Sequence, residues 1–237
     1  MRLLTHTLFY PAVILITALS IYHLIPATVW ATSHLYVYKY IFIGIGGYFG
    51  VGLLRIFNRN LEWAQTFSHE LSHTLVGLLF LRKIHSFTAE EGTGVMTHSG
   101  PWRFGSTFIS LAPYSMPIFI YILLGLRELG DAESLYIFDI MIGIACGFHL
   151  ACFWKQTRPY QTDLREVGFA RAYTFIFAAH TLNMVVLLRS IRLGTWEALR
   201  SIANDYIATS PDWWQWFSAT SLDLWQWLSA TVASWVA

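Results

Sequence analysis

Six stretches of mostly apolar residues, each about as long as a bilayer is thick, recur along this chain, at roughly 8–30, 35–57, 62–81, 104–126, 135–154 and 169–191. A hydrocarbon core about 30 Å thick takes about 20 helical residues at a rise of about 1.5 Å each, so every one of them can cross a membrane. Lipid offers the backbone no hydrogen-bond partners, so each stretch has to satisfy its own amides and carbonyls, and a helix does that. Composition agrees: 55% of the residues are hydrophobic and 12% charged, where a soluble domain has about a quarter charged. Too few charges remain to cover a water-facing surface. The expected fold class is an all-α polytopic membrane protein with about six transmembrane helices. The first run, Leu8 to Ala31, is longer than the apolar part of a signal peptide and is expected to be a retained span.

The net charge of +1 and the absence of a basic run argue against a nucleic-acid partner. Cys146 and Cys152 stand six apart in one apolar segment and give no disulfide framework. Between the third and fourth stretches, Ile84–Glu90 and Thr93–His98 flank Glu91-Gly92 with alternating polar and β-branched residues, which predicts a β-hairpin. Near the end, Asp212-Trp213-Trp214-Gln215-Trp216-Phe217-Ser218-Ala219-Thr220 recurs as Asp223-Leu224-Trp225-Gln226-Trp227-Leu228-Ser229-Ala230-Thr231. The offset of 11 residues is three helical turns, and tryptophan prefers the headgroup level. The division expected is a transmembrane unit over 1–193 and a Trp-rich interfacial helical tail over 194–237.

The third stretch carries the chemistry. His69-Glu70-Leu71-Ser72-His73 places two imidazoles at i and i+4, on one helical face, where they can share a Zn²⁺ ion. Glu70 sits beside them, positioned to act as general base toward a metal-activated water. With nine His and eight Glu in the chain, chance yields about 0.01 such motifs. Ionisable groups at that depth are costly without a partner, and a metal is a natural one. A catalytic zinc needs a third protein ligand and an open fourth position. Downstream, Asp139 and His149, both inside an apolar segment, are candidates. His180 and Asn183, three apart on the last span, share a face and are read as outer hydrogen-bonding groups or helix–helix contacts.

The segment Phe67-Ser68-His69-Glu70-Leu71-Ser72-His73-Thr74-Leu75-Val76-Gly77-Leu78-Leu79 resembles the metal-binding helix of the site-2 protease family of intramembrane zinc proteases. That family usually has Gly where Ser72 stands. Gly92-Thr93-Gly94-Val95-Met96-Thr97-His98-Ser99-Gly100 resembles the glycine-rich hairpin of its compact bacterial branch, which lacks a PDZ domain. The likeness covers roughly 60 to 170. It implies a zinc-dependent membrane endopeptidase acting on transmembrane or membrane-anchored protein substrates, in the inner membrane of a bacterial cell. It also implies His69, His73 and an aspartate near the start of a later span, matched best by Asp163, as metal ligands, with Glu70 catalytic.

Overall fold

The computed structural model describes residues 2–53, 58–100 and 105–212, together with positions 215 and 219. The elements run in chain order: α1 (Arg2–Ser33), a 3₁₀ turn (Leu35–Tyr38), α2 (Lys39–Leu53), α3 (Asn58–Leu79), β1 (Lys83–Glu90), β2 (Thr93–Ser99), α4 (Ser106–Ser115), α5 (Ile118–Arg127), α6 (Leu135–Gln156), α7 (Thr162–Val167) and α8 (Phe169–Leu193). A ninth helix, α9, covers 195 to 212. The second copy of the Trp-rich repeat, and most of the first, lie outside the described residues.

Among the described residues, three helices are long and apolar enough to span a membrane: α1 from Phe9, α6 and α8. The bent pair α4–α5 makes a fourth if it counts as one span. The other two expected spans are also helices. α2 is described over only fifteen residues, and α3 is made more polar by Glu62 and by the histidines and glutamate of the motif.

The 104–126 stretch is not one straight helix. α4 and α5 meet at 75°. Pro113 lies inside α4, Met116 is extended, and Pro117 caps α5; proline has no N–H to continue the ladder and disfavours helix in the residue before it. The Ser115 carbonyl freed at the break accepts a bond from Asn183 Nδ2 at 2.7 Å, and the Tyr121 hydroxyl donates to Asn183 Oδ1. Asn183 therefore braces the break. His180 packs edge-on against Phe153 and His149.

α2 and α6 approach so closely that only glycine fits. A Cβ on Gly44 would stand 2.1 Å from the Ile140 carbonyl oxygen, and one on Gly143 would stand 2.1 Å from that of Ile41. Small residues of this kind let helix backbones pack in lipid, where there is no hydrophobic drive between helices. The main core then forms from Ile41, Leu124, Ile142, Val185 and Ile202, with Tyr206 packed against it, so α9 closes on the same bundle. His23 of α1 is buried there against Tyr206, and Arg189 bridges to Asp205.

α3 satisfies its own polar side chains: Thr66, Ser72 and Thr74 donate to the carbonyls of Glu62, Ser68 and Glu70. It ends where Leu81 adopts a left-handed φ of 55°, with Arg82 N–H returning to the Gly77 carbonyl at 2.9 Å. This reversal feeds the expected hairpin, whose strands pair antiparallel from Glu90↔Thr93 outward, with a bulge between Ile84 and Ser86. Gly92 supplies the positive φ of the turn. The hairpin lies back along α3, with Trp63 Nε1 donating to the Ala89 carbonyl at 3.1 Å and Phe67 edge-on to Phe87.

Candidate metal centre

One helical turn sets His69 above His73, and their Nε2 atoms are 3.2 Å apart. Ninety residues later the chain supplies the third group. Asp163 lies on neither α6 nor α8 but on the short helix α7, set off from α8 by Gly168 with φ 89°. That extra turn brings Asp163 Oδ2 to 3.4 Å from Nε2 of both His69 and His73. Among the described residues, this trio is the one group of three or more His, Cys, Asp or Glu side chains close enough to share an ion.

The hydrogen-bond partners decide what each atom presents. His73 Nδ1 is 2.7 Å from the Ile109 carbonyl, which only accepts, so Nδ1 carries the hydrogen and Nε2 keeps its lone pair. His69 Nδ1 faces Gln156 Oε1 at 3.3 Å. The Tyr114 hydroxyl donates to Asp163 Oδ2 at 3.1 Å, and its ring stands edge-on to His69. Three electron-rich atoms thus converge on one point, and a single cation answers all of them. The spacing fits: metal–ligand bonds of about 2.0–2.2 Å in a tetrahedron imply donor–donor edges of about 3.3–3.6 Å. Asp163, a carboxylate, is the anion of the set.

Glu70 is buried one residue along from His69. It lines, with His69, His73, Asp163, Gly94 and His98, an open cavity of about 840 Å³ between α3, the hairpin and α7. The two rival ligands are engaged elsewhere. Asp139 is paired with Arg127, Nε to Oδ1 2.8 Å. His149 is half-buried and stands edge-on to His180, outside the trio.

A family model described as Peptidase M50B-like matches residues 51–188. The chain belongs to the Peptidase M50B-like family. The match runs from the end of α2 to near the end of α8 and contains every residue of the centre. This is the site-2 protease family, so with its apolar helices the molecule is a membrane peptidase of that type. Searches of curated proteins and of solved structures give no match.

Sequence reasoning about this M50B-like peptidase missed Gln156, Tyr114 and Gly94. Gln156 and Tyr114 stand on different helices from His69 and Asp163, the donors they bond, and a lone amide or phenol near an apolar run carries no spacing signal. His98, at the end of the expected second hairpin strand, lines the cavity on the inward face of β2.

Proposed function

We propose that this peptidase hydrolyses peptide bonds of membrane-embedded substrate proteins, with one zinc ion held by His69, His73 and Asp163 and with Glu70 as general base. The observation that carries the reading is the donor triangle of 3.2, 3.4 and 3.4 Å. Zinc bound there supplies a positive centre that polarises the scissile carbonyl and acidifies a water beside it. Glu70 takes the proton from that water as its oxygen attacks the carbonyl carbon. It then returns the proton to the amine nitrogen as the C–N bond breaks. The polar cavity admits water that lipid cannot supply. A substrate helix has to unwind first, because a hydrogen-bonded helical carbonyl is shielded. The hairpin, whose Thr93–Met96 stretch lines the cavity, would receive the extended segment by strand addition. On the likeness of that hairpin to compact bacterial members, we assign the protein to a bacterial inner membrane, with 1–193 as the catalytic unit.

The test is metal content and cleavage of a model transmembrane substrate by the full-length protein in nanodiscs. The wild type is expected to bind zinc and cleave. Glu70→Gln is expected to keep the metal and cleave about 10²–10⁴-fold more slowly. Wild-type activity in that variant would sink the general-base role. A non-proteolytic metal-binding adaptor would bind zinc and cleave nothing; the buried Glu70 beside the donor triangle favours the enzyme.

A further inference from the structure

Gln156 is the last residue of α6, and both ends of its amide are used. Its Nε2 donates to the Gln65 carbonyl at 3.2 Å. A carbonyl only accepts, so the nitrogen side of the amide is fixed there and Oε1 is turned to His69 Nδ1 at 3.3 Å. An amide oxygen also only accepts. The His69 hydrogen is thereby placed on Nδ1, and the Nε2 lone pair is aimed at His73 and Asp163. We infer that Gln156 is a positioning residue for the metal centre, fixing the tautomer and ring plane of His69 through its amide oxygen. This deepens the zinc-peptidase reading and rests on it.

The other two donors are held differently. His73 leans on the Ile109 backbone carbonyl, and Asp163 takes the phenol of buried Tyr114. His69 depends on a side chain borrowed from another helix. Its backing is therefore the amide of α6, whose end also leads through 157–161 into α7 and Asp163. The neighbouring residue provides a control. Lys155 ties α6 to α3 through Glu62 at 3.0 Å, at an exposed pair with no bond to His69, so it shares the tether and lacks the positioning role.

The experiment measures zinc affinity of full-length protein in nanodiscs by chelator competition, and the ligand-field spectrum of the Co²⁺-loaded form. Gln156→Leu is expected to lose about 10–100-fold in zinc affinity, the usual cost of removing a ligand's outer partner, with shifted Co²⁺ bands. Gln156→Glu keeps an acceptor facing Nδ1 and is expected to stay within about threefold of wild type. Lys155→Ala is expected to match wild type in both readouts. Wild-type affinity in Gln156→Leu, or equal loss in the Leu and Glu variants, overturns the positioning role while leaving the zinc site standing. A wild-type protein whose metal binding survives His73→Ala refutes the zinc site itself, and the inference with it.

Discussion

Gly94 has no side chain where Glu70 needs the room: a Cβ on Gly94 would come within 2.6 Å of Glu70 Cγ and 2.7 Å of its Oε1. The hairpin and the candidate base are thus fitted to each other at one position, with Thr66 Cγ2 closing the other side at 2.8 Å. Gly94→Ala is expected to push the Glu70 carboxylate aside without touching the three metal donors. Cleavage should fall by at least about 10-fold, since a shift of roughly 1 Å in a reacting group can cost about 100-fold, while zinc content stays at the wild-type value. Metal analysis and a rate measurement on one preparation check both halves.

The two aspartates that compete on sequence should part company under mutation. Asp163→Ala is expected to abolish tight zinc binding, because it removes the anion of the set. Asp139→Ala should leave zinc binding intact and destabilise the fold, since it strands the Arg127 guanidinium, whose side chain is only 10% exposed. Breaking a buried pair from one side costs about 3–5 kcal/mol. Zinc stoichiometry and melting temperature, measured side by side, separate the roles.

His98 on β2 offers a pH dependence. Burial, then the charges of Arg82, His73 and His85, hold its pKa below the ordinary histidine value. The unfolded chain therefore binds a proton more readily than the folded one below about pH 6.5. Its contribution to stability is complete above that pH and is lost as pH falls through the lowered folded value. His98→Gln is expected to flatten the fall in melting temperature on the acid side of pH 6.5; an unchanged slope would show that other groups govern it.

Gly143 faces the Ile41 carbonyl with no room for a methyl group, and the obstacle is backbone. Gly143→Ala is expected to force α2 and α6 apart and to lower stability by about 1–3 kcal/mol, the usual cost of overpacking. Thermal unfolding in detergent checks this. The control variant Gly46→Ala, on α2 with nothing within 4 Å of its Cβ, should melt like wild type.

The expected hairpin over 84–98 and the i, i+4 histidine pair were legible because each depends on near neighbours: alternation around Glu91-Gly92, and one turn of helix between His69 and His73. The bend in the 104–126 stretch was equally local, and Pro113 and Pro117 announce it, although length and apolarity alone read as a straight span. Gln156 and Tyr114 left no trace, because their significance comes from which helix they face.

The amino-acid order by itself determined that this chain is built from membrane-length apolar helices and that one of them carries two imidazoles and a carboxylate on adjacent positions. Those properties follow from hydrophobicity and helical geometry, which act over a few residues. Choosing Asp163 over Asp139 and His149 to stand beside that pair needed the tertiary structure. The choice turns on a break at Gly168 that gives Asp163 its own short helix, and on Arg127 already holding Asp139. Such pairings are set by the packing of segments distant in sequence, and no local pattern records them.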